Sequence, residues 1–233
     1  MRYTYLLIDL FTILVPFLFS FHPRLDFKRT WPAFLPAVIL VGIVFLIWDA
    51  YFTQQKIWGF NPTYLLGIYI GNLPVEEVLF FLCIPYSCVF TYHCLNLFIK
   101  AKLSKRITNL LTALLIAGSI AMAVIYHGHR YTAYTFTVLP ALLFTAQFVL
   151  KVSWLPQFYL TYLILLVPFL IVNGLLTGTG LANPVVWYNN SETVRLRILT
   201  IPAEDVFYGM DLILLNVVLY RWFQSKNKMV LVQ

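Results

Sequence analysis

Two adjacent carboxyl groups stand behind a proline twice in this chain, as Pro74-Val75-Glu76-Glu77-Val78 and Pro202-Ala203-Glu204-Asp205-Val206. The likeness extends over nine residues, 72–80 against 200–208, with the proline, the first acid and the next valine identical. Asp49 closes the apolar run before the first copy, and Asn173 holds the corresponding place before the second. No Lys or Arg falls within the body of any apolar run, and Arg195 and Arg197 are the nearest candidates to neutralise these acids. A carboxyl group in a low-dielectric site without a cation holds its proton. Such a group can donate that proton to a substrate, and a neighbouring carboxylate can take one back.

Helix capping is the plainer reading of the same residues. Proline fits a first helical turn and carboxylates favour its dipole, by about 0.3–1 kcal/mol each. Capping explains one acid per copy but not two, and it leaves Asp49 unexplained. Adjacent helix positions differ in direction by about 100°, so one acid of each pair faces the interior. Glu76 and Glu204, which share one position in both copies, are the expected inward-facing acids, with Glu77 and Asp205 as close second choices. Asp9 and Asp211 also lie in apolar runs, where packing or support is expected of them ahead of catalysis.

Other chemistry finds little to work with. Cys83, Cys88 and Cys94 share one apolar run and suit neither a disulfide framework nor a metal site. His127 and His129 lack further ligands, so no metal is expected. There is no Gly-rich phosphate or dinucleotide loop and no Asp-rich diphosphate motif, so no cofactor is expected.

The elements that position the acids are membrane helices. The chain has 233 residues, of which 61% are hydrophobic and 11% charged. A soluble domain carries about 25% charged residues. Apolar runs long enough to span a bilayer fall near 3–21, 31–52, 74–98, 107–126, 131–150, 156–176 and 201–222. The first run lacks a cleavage site after it and is expected to stay as a helix. The expected fold is an all-α membrane protein of about seven transmembrane helices, arranged as two parallel three-helix repeats joined by a linker helix. The repeats are expected at 1–100 and 131–233, with the linker at 101–130. Three helices reverse sidedness and the fourth restores it, so both acid motifs come to one level.

The net charge of +7 fits topology better than nucleic acid. Eleven Lys and Arg fall on the side holding the first, third and fifth loops and the C-terminus, and five on the other, which accounts for all 16. The positive-inside rule puts the C-terminus in the cytoplasm and the N-terminus outside. A plasma (inner) membrane is the expected location. Oligomeric state leaves no trace in the sequence.

Several motifs together resemble a known family. Trp48-Asp49, Trp58-Gly59-Phe60-Asn61-Pro62, Pro74-Val75-Glu76-Glu77, Phe80-Phe81 and Ile84-Pro85-Tyr86 resemble one half of the non-flavin membrane lycopene cyclases. Val172-Asn173-Gly174, Leu176-Thr177-Gly178, Pro184-Val185-Val186 and Arg197-Ile198 leading into Ile201-Pro202-Ala203-Glu204-Asp205 resemble the other half. The chain is thus similar to the fused form of a cyclase that elsewhere occurs as two subunits. The resemblance implies acid-initiated cyclisation of the ψ-ends of lycopene to β-rings, an isomerisation without cofactor, in the lipid bilayer. It implies catalytic Glu76, Glu204, Glu77 and Asp205, with Trp48, Asp49, Asn173 and Arg197 around the substrate. Asn173 in place of a second aspartate speaks against two equivalent sites. A carotenoid hydratase is the alternative within the same chemistry. A transporter or pigment-binding protein is the alternative outside catalysis.

Overall fold

A computed structural model describes residues 1–99 and 103–230. Seven helices run in chain order: α1 (Thr4–Phe19), α2 (Trp31–Gln54), α3 (Val75–Phe98), α4 (Lys105–Ile125), α5 (Arg130–Phe144), α6 (Leu155–Leu176) and α7 (Ala203–Val230). A π-helical turn, Thr145–Val149, extends α5. Six of these helices are long and apolar enough to cross a membrane. The exception is α1, whose 16 residues span about 24 Å at 1.5 Å per residue, short of the hydrocarbon core of about 30 Å. It stops two residues earlier than expected because the chain turns at Ser20, whose hydroxyl bonds back to Pro16 O at 2.7 Å. Its outward face is apolar all the same, with Phe11 69% exposed, as a lipid-facing surface requires. The chain is an all-α, multi-pass membrane protein.

The packing crosses between the two halves. α1 lies on α3, and α5 lies on α7. α2 packs on α7, while α6 packs on α3. The second helix of each three-helix unit thus completes the core of the other unit. α4 leans on α5 at the outside of the bundle.

The segments joining the second and third helices of each unit fold alike. Each contains a short strand, a 3-10 turn and a two-stranded hairpin. The strands are β1 (Trp58–Phe60), β2 (Tyr69–Ile70) and β3 (Leu73–Pro74) in the first, and β4 (Val186–Tyr188), β5 (Arg197–Ile198) and β6 (Ile201–Pro202) in the second. Asn61 caps one turn by accepting from Thr63 N at 3.1 Å, and Asn189 caps the other by accepting from Ser191 N at 3.0 Å. The left-handed positions also correspond: Gly67 and Gly71 in the first segment, Arg195 and Leu199 in the second. β1 and β4 pair antiparallel, with Trp58 opposite Tyr188. That pairing ties both segments together at one end of the bundle, so both Pro-x-Glu motifs enter from the same end.

One ion pair anchors this cap. Arg130 Nη2 lies 2.7 Å from Glu192 Oε1, and Arg130 Nε donates to Oε2 at 3.1 Å. These bonds hold the Glu192 carboxyl below its ordinary value of 4.5. The stability this adds is complete above pH 4.5 and is lost as pH falls through the lowered value. Thermal unfolding in detergent should therefore show an acid-dependent component that Glu192→Gln removes. An identical acid slope in the two chains would contradict this role.

Candidate active site

The four motif acids divide their work within each pair. All four are buried. Glu76 Oε1 accepts from Leu66 N at 2.6 Å. Glu204 Oε1 accepts from Val194 N at 2.6 Å and from Thr132 Oγ1 at 2.7 Å. Both amides lie ten residues upstream of their acid, in the segments that carry the hairpins. Glu76 and Glu204 thereby tie each hairpin segment to the start of the next helix. They do not face the central cavity, which corrects the orientation expected of them. A backbone N–H buried at that level needs an acceptor, and the first acid of each pair supplies it.

Glu77 and Asp205 are the pair members that line the cavity. Glu77 Oε2 accepts from Tyr5 Oη at 2.5 Å. Asp49 stands behind it, with its Oδ1 accepting from Trp58 Nε1 and, at 3.4 Å, from Thr53 Oγ1. The other oxygen of Asp49 has no N–H or hydroxyl donor, and the Asp49 and Glu77 carboxyls are within hydrogen-bonding reach of each other. In the second unit Asp205 Oδ1 accepts from Tyr131 Oη at 2.5 Å. Its Oδ2 accepts from Asn173 Nδ2 at 2.7 Å and from Tyr188 Oη at 3.0 Å. Burial pushes the Tyr188 phenol well above its ordinary range, and the Asp205 charge adds to this, so Tyr188 acts as a donor.

The cavity holds about 590 Å³ and is walled mainly by apolar side chains of α1, α3, α6 and α7. It runs along α3 from Glu77 to Thr91, a helical distance of about 21 Å. Leu7, Phe11 and Ile171 line it and are also exposed on the lipid-facing surface. The cavity is therefore reached from the bilayer side between α1 and α6.

Of the expected substrate contacts, Asn173 lines the cavity and Asp49 reaches it only through Glu77. Trp48 lies outside it and packs edge-on against Tyr208, 5.2 Å between ring centroids. Arg197 is not at the cavity either. Its guanidinium donates to Thr200 O at 2.5 Å and to Asn190 Oδ1 at 2.9 Å, which holds the second hairpin closed. Among the described residues the ion pairs are Arg29–Asp26 and Arg130–Glu192, neither of which touches the motif acids. Asp9 and Asp211 are fully buried, and neither has a hydrogen-bond partner among the described residues.

Sequence reasoning missed the tyrosines that hold the acids. One signal was present: Arg2-Tyr3-Thr4 recurs as Arg130-Tyr131-Thr132, at the same spacing as Pro74 and Pro202. It leads to Tyr131 and Thr132 in the second unit. In the first unit it would have selected Tyr3, whereas Tyr5 makes the bond.

These features define a polytopic helical membrane protein in which two similar units enclose one carboxyl-bearing cavity. The chain belongs to the lycopene cyclase family, whose model matches residues 2–95 and 128–223. It is similar to the bifunctional lycopene cyclase/phytoene synthase of Colletotrichum graminicola, 30% identical over 89 residues, 38% of this chain and 14% of that protein. The protein of the same description from Aspergillus oryzae is 29% identical over 86 residues, 36% of this chain and 14% of its own length. The match thus spans about one seventh of these relatives. No solved structure matches the chain.

The tethering role of Glu204 is testable by substitution. Glu204→Ala leaves Val194 N and Thr132 Oγ1 without their acceptor, which should cost about 1–3 kcal/mol. Glu204→Gln keeps a carbonyl acceptor and should cost less. Chemical unfolding in mixed micelles checks the order, and equal stability of the two variants would contradict the tether.

Proposed function

We propose that this chain is a lycopene β-cyclase, an intramolecular lyase that closes the ψ-ends of lycopene into β-rings without net redox change or cofactor. The observation that carries the reading is the placement of Glu77 and Asp205. They come from different units, face one hydrocarbon-lined cavity, and are held by neutral donors. The substrate this fits is a long hydrocarbon resident in the bilayer, entering between α1 and α6.

The two acids suit different halves of the reaction. Two carboxyl groups within hydrogen-bonding reach share at least one proton, so Glu77, backed by Asp49, is the donor. Asp205 accepts three hydrogen bonds, and hydrogen bonds to the charged form favour it, so Asp205 is the base. Glu77 protonates the terminal double bond and leaves a tertiary cation. The internal double bond attacks that cation, the six-membered ring closes, and the positive charge moves into the ring. Asp205 then removes a ring proton and a new double bond forms. Which carbon loses its proton, and hence a β- rather than an ε-ring, follows from where Asp205 stands. The faces of Trp58 and Tyr131, both lining the cavity, stabilise the cation by about 2 kcal/mol or more when desolvated. Glu76 and Glu204 act by holding the cap in place.

The same reading divides the chain into a first unit at 1–100, a linker helix at 101–130 and a second unit at 131–233. It places the hairpin cap outside an inner (plasma) membrane, with the C-terminus in the cytoplasm, because the basic loops lie at the opposite end.

Expression in a lycopene-accumulating bacterium, with pigment analysis, tests the function. γ- and β-carotene are expected, and unchanged lycopene with folded protein present would overturn the reading. Glu77→Gln and Asp205→Asn should each lower ring formation by at least about 100-fold at matched protein levels, the scale of lost general acid–base catalysis. Near-normal yield from either variant would remove that residue from the chemistry.

A further inference from the structure

Tyr208 belongs to neither carboxyl cluster, yet it stands between them. Its ring lies 5.9 Å from that of Trp58, which holds Asp49, and 6.1 Å from that of Tyr131, which holds Asp205. Phe45 and Trp48 close on it at 5.3 and 5.2 Å. Tyr208, Glu77 and Asp205 line the same cavity. The Tyr208 hydroxyl is buried and has no hydrogen-bond partner among the described residues. Tyr5, Tyr131 and Tyr188 each commit their hydroxyl to a carboxyl oxygen. A buried hydroxyl without a partner is costly, and this one lies beside both carboxyl clusters. The corresponding position of the first unit is Phe80, which has the ring without the oxygen.

The reaction creates a task for such a group. With donor and base on different residues, each ring closure leaves Glu77 without its proton and Asp205 with an extra one. The other hydroxyls beside the two acids, those of Tyr5, Tyr131 and Tyr188, are each already held by one carboxyl group. We propose that Tyr208 returns the proton: its oxygen takes the proton of the Asp205 carboxyl while its own proton passes to the Glu77 carboxylate. The tyrosine ends unchanged, both acids regain their starting states, and no electrons move. This inference rests on the acid–base assignment above.

The test is Tyr208→Phe, which keeps the ring and removes only the oxygen. Purified protein in lipid vesicles is given lycopene, first with protein in excess and then with lycopene in excess, and formation of the first ring is followed. With protein in excess the rate of the first closure should be unchanged, because Glu77 starts protonated. With lycopene in excess the rate should fall by at least about 100-fold, the scale of a lost proton-transfer group. A purely structural hydroxyl would not separate the two regimes. Equal rates in both regimes for the variant and the unsubstituted chain would overturn the proposal, as would an equal loss in both. Glu77→Gln, inert in both regimes, keeps the outcomes distinct: if it is inert while Tyr208→Phe turns over normally, the relay alone fails. If the unsubstituted chain closes no ring, the acid–base reading fails and the relay with it.

Discussion

A carboxyl group in a hydrocarbon surrounding either finds donors or keeps its proton, and among the described residues no cation pairs with the motif acids. The rest of the structure answers to that constraint. Six buried acids lie at or near the capped end of the bundle: Asp9, Asp49, Glu76, Glu77, Glu204 and Asp205. All but Asp9 are met by backbone amides, tyrosine hydroxyls, an indole or an asparagine amide, and Asp49 and Glu77 also meet each other. Neutral donors satisfy lone pairs without cancelling reactivity, whereas a guanidinium in the same place would hold a carboxylate permanently charged. The arrangement leaves the motif acids without a charged partner among the described residues.

The internal repeat supplies the frame, and departures from it supply the chemistry. Within each unit the first acid ties down the hairpin segment and the second reaches the cavity. The matched hairpins pair through β1 and β4, and α2 and α6 each cross to the opposite unit, so neither unit has a complete site alone. Symmetry then stops. Asp49 faces Glu77 where Asn173 faces Asp205, so one acid has a carboxyl neighbour and the other an amide. Phe80 stands in the first unit where Tyr208 stands in the second. On the proposed function, the two different halves make one directional site rather than two equal ones.

Much of this was legible in the sequence, for physical reasons that can be named. Long apolar runs admit little besides membrane helices, and the duplicated Pro-x-Glu motif is visible because both copies keep the same order. The orientation of the acids was not legible. Helical geometry says that Glu76 and Glu77 point about 100° apart, but not which of them meets the amide of Leu66. That amide comes from a segment without any pattern of its own. The strands that form the cap are two or three residues long, too short for alternation to show. The donors were hidden by abundance: with 15 tyrosines in the chain, nothing in the composition separates Tyr5 or Tyr188 from those that face lipid. α1 reads as a full span by hydropathy and stops short only because the chain turns at Ser20.

The central claim is that one cavity, fed by an acid from each unit, holds the reacting end of an acyclic carotenoid. An experimental structure with lycopene bound, in the Glu77→Gln variant to prevent turnover, tests it most directly. The account predicts one hydrocarbon chain in the cavity, with its terminal double bond between residue 77 and Asp205 and its length running along α3 towards Thr91. A chain end seated against Glu76 or Glu204, or two chain ends held separately by the two units, would contradict it.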